Sequence, residues 1–163
     1  VDKALYQHSK GGIISTMNEK TNVMRILDKY KINYKHYSYA DTDAVSGVDV
    51  ARVLNQNEKQ VFKTLVTTGK SGSHYVFLKK AAKSVNEKSI EMLKQKDLLS
   101  LTGYIHGGCS PIGMKKFFKT VINDSAQNFP SIIFSGGKIG YQVEVTLEDL
   151  KKVIDFELCD IIV

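Results

Sequence analysis

Two β-rich runs on either side of a short turn constrain the fold of this 163-residue chain more than any other feature. The runs are residues 60–68 and 74–80, and the segment between them, GKSGS, consists mainly of glycine and serine. Turn-forming residues between two runs of β-branched and aromatic residues are typical of a hairpin. We therefore predict an antiparallel pair of strands near the middle of the chain.

The region before the hairpin predicts a helix followed by a strand. Four apolar residues at helical spacing indicate a helix that begins at Thr21: Val23, Ile26, Leu27 and Tyr30. Residues 33–39 then read as a strand in which Tyr37 and Tyr39 share one face and His36 lies on the other.

Capping residues and short β-rich runs predict the remaining elements. Three more helices are expected. The first is capped by Ser46 or Asp49 and runs to Leu54. The second begins at the capping box SVNE at 84–87 and includes Ile90 and Leu93, and the third begins at Thr146. Short strands are expected at 104–105, 121–122, 131–134, 139–145 and 156–163. Short strands between glycine turns indicate an α+β fold with a mixed, curved, barrel-like sheet flanked by helices.

The composition indicates one globular domain. Hydrophobic residues make up 42% of the chain, which is enough for one buried core. The longest apolar runs, such as residues 132–134, are far shorter than a membrane helix, so no membrane association is expected. Residues 1–16 show no hydrophobic periodicity typical of a helix or strand, and they precede Met17, which could be the native start. We therefore interpret them as an expression leader or a disordered arm. Residues 17–163 form the predicted domain.

The charge favours an anionic partner. Lys and Arg number 23 against 17 Asp and Glu, which gives a net charge of +6. Arginine appears only at Arg25 and Arg52, so phosphate contact is expected rather than base-specific reading of DNA. Cys109 and Cys159 make no disulfide framework, and the cytoplasm is the expected compartment.

Lys63 is the first candidate for a functional side chain. It lies inside the apolar run VFKTLVTT, where alternation puts Val61 and Leu65 on its face. A lysine in such a run is either an edge-strand residue that reaches solvent or an ammonium group at the mouth of a pocket. In the second case it could bind a phosphate or a developing oxyanion.

Two glycine-rich segments are the other candidates. They are residues 103–113, GYIHGGCSPIG, and residues 135–140, SGGKIG. Each is either a tight turn or a loop whose backbone N–H groups bind an anion. Neither is a nucleotide-binding P-loop, because Lys138 lacks both the upstream glycine and the following Ser or Thr of that motif.

Other kinds of site are disfavoured. His106 and Cys109 supply only two of the ligands that a zinc site needs, so no metal or other cofactor is expected. Cys109 lies beside two glycines and reads more readily as a small buried residue than as a nucleophile. Ser110 and Ser135 lack the G-x-S-x-G context of a serine hydrolase.

Taken in order, these motifs resemble the YbaK family of aminoacyl-tRNA deacylases, which is related to the editing domain of bacterial prolyl-tRNA synthetases. The resemblance is carried by QVFKTLV at 60–66, TGYIHGGCSPIG at 102–113 and SGGKIG at 135–140, and it extends from about Val23 to Ile161. Each motif alone is short. Their order and separation together make the resemblance specific.

The resemblance implies a fold, a substrate and a site. The fold would be the family's mixed α/β architecture, and the substrate would be the 3′ acceptor end of a mischarged tRNA, most directly Cys-tRNA(Pro). The residues that would carry catalysis are Lys63, Gly107, Gly108 and Ser110. The residues that would bind the substrate are Tyr39, Cys109, Pro111, Ser135, Gly136, Gly137 and Gln142.

The family also implies a mechanism and a partner. The cysteine thiol of the substrate would attack its own ester, so the protein would need no nucleophile, and prolyl-tRNA synthetase would deliver the tRNA in a transient complex. Gln142 departs from the pattern, because some members have an aspartate there. A deacylase for Ala-tRNA or other small aminoacyl-tRNAs therefore stays open, as does a non-catalytic tRNA-binding or synthetase-associated module.

Overall fold

The computed structural model describes residues 20–80 and 91–161, with the backbone alone at Lys80. The helices in these ranges are α1 (Asn22–Lys29), α2 (Gly47–Val53), α3 (Gln95–Thr102) and α4 (Leu147–Lys151). The strands are β1 (Lys35–Ser38), β2 (Phe62–Thr68), β3 (His74–Lys80), β4 (Glu91–Met92), β5 (Lys119–Asn123), β6 (Ile132–Ser135), β7 (Tyr141–Val145) and β8 (Glu157–Cys159). The predicted leader or arm at 1–16 and the capping box at 84–87 lie outside the described residues.

The strands form two sheets that meet at one point. β1, β7 and β6 make an antiparallel sheet, and the second, mixed sheet has the order β4-β2-β3-β5-β8. A parallel bridge between Val61 and Ile133 joins them. The predicted α+β class with a mixed sheet is confirmed. Closure into a barrel is not seen in the described ranges, because β1 and β8 each pair on one side only.

The predicted hairpin is confirmed with a defined register. β2 and β3 pair antiparallel from Phe62 opposite Lys80 to Thr68 opposite His74. Gly72 has a φ of 83°, a conformation that glycine adopts without steric cost and that lets the chain reverse. The hairpin thus fixes which residues of the two strands face each other.

The core lies between α1 and one face of the joined sheets. The helix predicted from Thr21 is confirmed as α1, and the Thr21 hydroxyl caps it by accepting a hydrogen bond from the Met24 N–H at 3.2 Å. The core residues from the helix and both sheets include Val23, Met24, Leu27, Leu78, Ile122, Phe134 and Val143, all fully buried. The face of the sheets that points away from α1 is not part of this core and can carry polar side chains.

Most other predicted elements appear near their expected places. Ser46 caps α2 and Thr146 caps α4 through hydrogen bonds to backbone N–H groups. The strands expected at 121–122, 131–134 and 139–145 overlap β5, β6 and β7, and β8 lies within the one expected at 156–163. No helix in the described part of the chain has both the length and the apolar character that crossing a membrane requires.

Two predictions were wrong. Leu93 is not helical; its N–H donates to the carbonyl of Val66 at 3.0 Å and continues the pairing of β4 with β2, and the helix of this region begins at Gln95. Residues 104–105 are not a strand, because Gly103 ends α3 in the left-handed conformation and Tyr104 then turns inward. The Tyr104 hydroxyl donates to the Ile112 carbonyl and so ties the next loop to the core.

Candidate functional site

The outer face of the joined sheets carries Lys63 beside β6. Because Val61 and Ile133 bridge in parallel, the next residues of that face along the two strands are Lys63 and Ser135. The small group of Val61, Ile133, Ala51 and Tyr37 packs together on the same side. Lys63 is exposed and has no hydrogen-bond or ion-pair partner among residues 20–80 and 91–161.

Ser135, Gln142 and Tyr37 extend this face across the smaller sheet. Ser135 is paired with Gln142 on β7, and Gln142 is paired with Tyr37 on β1, so the three side chains project from one side. His36 is buried on the core side. The prediction that His36 and Tyr37 lie on opposite faces of β1 is confirmed. Lys63, Ser135 and Gln142 project from the same face as Tyr37.

Lys79 is a residue of this face that sequence reasoning missed. It lies directly opposite Lys63 in the hairpin, and only 9% of it is exposed. If the two predicted strands are paired symmetrically about the turn at residues 69–73, Lys79 falls opposite Lys63, so the sequence did contain a signal for it. Two lysines at neighbouring positions give this face a positive charge, which favours an anionic ligand.

The turn at residues 135–140 is shaped by its glycines and by Ser135. The Ser135 hydroxyl accepts a hydrogen bond from the Gly137 N–H at 3.2 Å. Gly137 has a φ of 89°, and a Cβ atom there would lie 2.7 Å from Val23 of α1. The Tyr39 N–H donates to the carbonyl of Gly140 at 2.8 Å, so Tyr39 is held at the end of this turn.

The two glycine-rich segments contact each other. A Cβ atom on Gly108 would lie 3.1 Å from the backbone nitrogen of Ile139, so a side chain there would push the loop and the 135–140 turn apart by a few tenths of an ångström. Gly107, with a φ of 87°, lies against the side chain of Ile139. The structure therefore brings these two predicted segments together.

The backbone N–H groups of the first loop are not equally available. The Gly108 N–H donates to the carbonyl of Ile105 at 3.0 Å. The N–H groups of Cys109 and Ser110 have no acceptor within the described ranges, although both residues are buried. Two adjacent backbone N–H groups without an acceptor can together bind an oxygen atom with negative charge.

The side chains of this loop point to structural roles. The Cys109 side chain packs in the core, and burial raises the pKa of its thiol from the ordinary 9.0 to about 12, so the thiol is protonated at neutral pH. The Ser110 hydroxyl is fully buried and accepts from the Ile112 N–H at 3.4 Å. Pro111 is buried as well. What Cys109 and Ser110 can present is their backbone.

Gln142 is held by a residue that the sequence did not single out. Only 6% of Gln142 is exposed, and its side-chain carbonyl accepts a hydrogen bond from the Gln56 amide at 2.8 Å. Gln56 follows α2 and belongs to no motif, so no sequence signal pointed to it. Beside this pair, burial and the neighbouring Glu144 carboxylate raise the pKa of Tyr37 to about 12, so Tyr37 remains a neutral hydrogen-bond donor.

No group of three or more His, Cys, Asp or Glu side chains in residues 20–80 and 91–161 is arranged to hold a metal ion. The polar groups that the described site presents are ammonium groups, backbone N–H donors, amides and hydroxyls.

Comparison with known proteins gives matches over most of the chain. A family model described as an aminoacyl-tRNA editing domain matches residues 42–153. EbsC of Enterococcus faecalis, described as a candidate Cys-tRNA(Pro)/Cys-tRNA(Cys) deacylase, is 41% identical over 153 residues, which cover 88% of this chain and 93% of EbsC. These matches confirm the resemblance that the motifs indicated.

Solved structures give the same fold at low sequence identity. A candidate trans-editing enzyme for prolyl-tRNA synthetase has a TM-score of 0.73 at 18% identity, covering 87% of this chain and 98% of its own. A hypothetical protein, APE2540, has a TM-score of 0.74 at 17% identity, covering 86% and 98%.

Proposed function

The chain belongs to the family of aminoacyl-tRNA editing domains and is an aminoacyl-tRNA deacylase, and from this premise we propose that its substrate is Cys-tRNA(Pro). Support comes from its similarity to EbsC, which extends over nearly the whole of both chains. An editing step of this kind has a clear use, because cysteine and proline are of similar volume and binding alone separates such amino acids poorly.

The observation that carries the proposed chemistry is the pair of adjacent N–H groups of Cys109 and Ser110, which have no acceptor within the described ranges. Hydrolysis of an ester passes through a tetrahedral intermediate with a negatively charged oxygen. In our proposal these two N–H groups bind that oxygen. Gly107 and Gly108 act by letting the loop bend and approach the 135–140 turn, since the Gly108 N–H is already engaged.

Lys63 and the polar residues of its face would hold the acceptor end. Its exposed ammonium group is free to contact the phosphate or ribose of the terminal adenosine. Tyr39 and the turn of Ser135, Gly136 and Gly137 would line one side of the aminoacyl group, with Gln142 behind them, and Pro111 would keep the opposite loop rigid. The approach of the two loops supports this arrangement.

The proposed reaction needs no nucleophile from the protein. The thiol sulfur of the bound cysteine attacks its own ester carbonyl, the carbon–oxygen ester bond breaks, and the thiol proton passes to the ribose oxygen. The products are free tRNA and a cyclic thiolactone, which water opens to cysteine. A held geometry can give an effective molarity of about 10⁵ M or more, so positioning supplies most of the rate. The protonated Cys109 thiol agrees with this scheme.

Two further parts of the proposal concern the cell. Transfer RNA would be delivered by prolyl-tRNA synthetase in a transient complex, and the enzyme would act in the cytoplasm, where its substrate forms. The net charge of +6 suits contact with RNA phosphates, while the small number of arginines suits limited reading of bases.

Deacylation of a panel of charged tRNAs tests the substrate and the mechanism together. The purified protein is incubated with Cys-, Ser-, Ala- and Pro-tRNA, and the released amino acid is followed with time. We expect rapid loss of cysteine and slow loss of serine, because a hydroxyl group is a much weaker nucleophile than a thiol. Equal rates for cysteine and serine would exclude attack by the substrate thiol while leaving the deacylase intact.

A second candidate substrate class is favoured by Gln142, whose neutral amide stands where some members have an aspartate. An amide can hydrogen-bond but cannot pair with an ammonium group as a carboxylate does. Faster release of alanine than of cysteine in the same panel would assign the protein to this class. Tight binding of tRNA with no release of any amino acid would identify a non-catalytic module instead.

A further inference from the structure

A cleft of about 310 Å³ begins where the candidate oxyanion loop ends. Its wall starts at Pro111 and Gly113 and continues along the segment that follows, MKKFF at 114–118. The other side is formed by Thr120 and by residues 153–155 at the end of α4. The volume is at the lower end of the range for small-molecule sites, which suits a single flat ring system.

The cleft combines an aromatic ring with cationic groups. Phe117 is 82% exposed, which is far more than its neighbour Phe118, whose ring packs edge-on against His74 with centroids 5.9 Å apart. Lys115 and Lys116 precede it and are exposed. An exposed aromatic side chain beside lysines is the arrangement with which proteins bind unpaired nucleotides, stacking the base and contacting the phosphate.

The cleft is connected to the candidate site through the backbone. Pro111 directly follows Ser110, whose N–H group has no acceptor within the described ranges, and the Lys115 N–H donates to the carbonyl of Thr102 at 3.0 Å. A chain of nucleotides with its terminal ester at Ser110 would therefore have its preceding residues close to this cleft.

A second cleft, of about 460 Å³, has the opposite electrostatic character. It lies between His74 and the start of α3, and its charged residues are Glu91, Asp97 and Lys94. Two carboxylates against one ammonium group disfavour RNA there. The first cleft has Lys115 and Lys116 against a single carboxylate, Asp155.

We propose that the cleft at residues 111–120 binds an unpaired nucleotide that precedes the terminal adenosine of the tRNA, with the base stacked on Phe117 and a phosphate contacted by Lys116. This inference rests on the proposed function, since it takes the aminoacylated 3′ end as the ligand. It adds a binding site outside the catalytic residues named above.

Two substrates distinguish an effect on binding in this cleft from an effect on catalysis. They are Cys-tRNA(Pro) and 3′-O-cysteinyl-adenosine, which has no preceding nucleotides. Phe117→Ala should lower kcat/KM for the tRNA by about 5-fold to 150-fold, the range that loss of one stacked base implies, through KM and not kcat. It should leave hydrolysis of cysteinyl-adenosine unchanged, and Phe117→Tyr should restore the tRNA reaction. Tyr30→Ala, which removes another half-exposed aromatic ring, is the matched control.

The salt dependence tests the phosphate contact. Lys116→Ala should make the fall of tRNA affinity with salt less steep, by about one phosphate contact, whereas Lys70→Ala in the hairpin turn should not. A Phe117→Ala protein that matches Tyr30→Ala, or that loses activity equally on both substrates, would overturn the proposal. If the wild-type protein cleaves neither substrate, the proposed function fails, and the affinity of Phe117→Ala for uncharged tRNA still decides the binding site.

Discussion

Lys63 lies directly opposite Lys79 in the antiparallel pair of β2 and β3, so two lysines project from neighbouring positions of one sheet face. Two ammonium groups at neighbouring positions give this face a positive charge, which favours an anionic ligand. The pair therefore points to this face as the place where an anionic substrate binds.

Replacing Lys63 by methionine should remove activity and leave stability almost unchanged. Lys63 is exposed and has no hydrogen-bond or ion-pair partner among the described residues, so the free energy of unfolding should change by less than about 0.5 kcal/mol. Urea unfolding measures this, and Lys70→Met in the hairpin turn is the control for both stability and activity. A Lys63→Met protein that is much less stable than Lys70→Met would mean that Lys63 is there for packing.

Gly108→Ala should slow the enzyme without unfolding it. The new Cβ atom would lie 3.1 Å from the Ile139 nitrogen and would push the two glycine-rich segments apart by a few tenths of an ångström. Because a misplacement of about 1 Å can cost about 100-fold in rate, we expect this smaller shift to lower kcat by about 3-fold to 10-fold. Gly72→Ala is the control. It has open space but a φ of 83°, so it should lose about 1 kcal/mol of stability and keep full activity.

The two cysteines should react very differently with a thiol-alkylating reagent. Burial raises the pKa of Cys109 to about 12, so its thiolate fraction at pH 8 is negligible, whereas Cys159 is exposed. Iodoacetamide at pH 8 should modify Cys159 alone and leave deacylation unchanged, as mass spectrometry and an activity assay will show. Loss of activity that tracks modification of Cys109 would support a thiol nucleophile instead.

The raised pKa of Cys109 also predicts a loss of stability in alkaline solution. Between the ordinary pKa of 9.0 and the folded value of about 12, the folded state keeps a proton that the unfolded state releases. The contribution is thus fully present below pH 9 and declines above it, by about 1.4 kcal/mol per pH unit for this group. Thermal unfolding between pH 7 and 11 should show a shallower decline for Cys109→Ala than for the wild type. Parallel curves would contradict the burial of the thiol.

Gln56 and Gln142 should behave as one unit. Their amides share a hydrogen bond of 2.8 Å on the substrate face, and a neutral hydrogen bond contributes about 0.5–1.5 kcal/mol. Gln56→Ala should raise KM for Cys-tRNA(Pro) by severalfold with little effect on kcat, because it frees Gln142 to move. In a double-mutant cycle with Gln142→Ala, the two effects should not add. Additive effects would show that Gln56 acts elsewhere.

The sequence predicted the elements whose signals are local. The hairpin followed from its turn residues, α1 followed from the helical spacing of its apolar residues, and the start of α4 followed from Thr146. The predicted hairpin even contained the Lys63–Lys79 pairing, since strands that are symmetric about residues 69–73 place these residues opposite each other. Local chemistry was sufficient in each of these cases.

Long-range contacts could not be predicted in the same way. The contact between Gly108 and Ile139 and the Gln56–Gln142 hydrogen bond join segments distant in sequence, and neither leaves a periodic signal. Helix α3 was missed because its N-cap residue, Lys94, makes no capping hydrogen bond. The sequence predicted only that N–H groups of this glycine-rich loop could bind an anion. The structure shows that the Gly108 N–H is already bonded to the Ile105 carbonyl, which leaves the N–H groups of Cys109 and Ser110 as the available donors.

Single-turnover deacylation of Cys-tRNA(Pro) by the wild-type, Lys63→Ala and Lys70→Ala proteins is the most direct measurement. We predict that the wild type and Lys70→Ala release cysteine at the same rate and that Lys63→Ala releases none above the uncatalysed background. A Lys63→Ala protein as active as the wild type would contradict the placement of the acceptor end on this face, and a wild type that leaves Cys-tRNA(Pro) intact would contradict the proposed substrate.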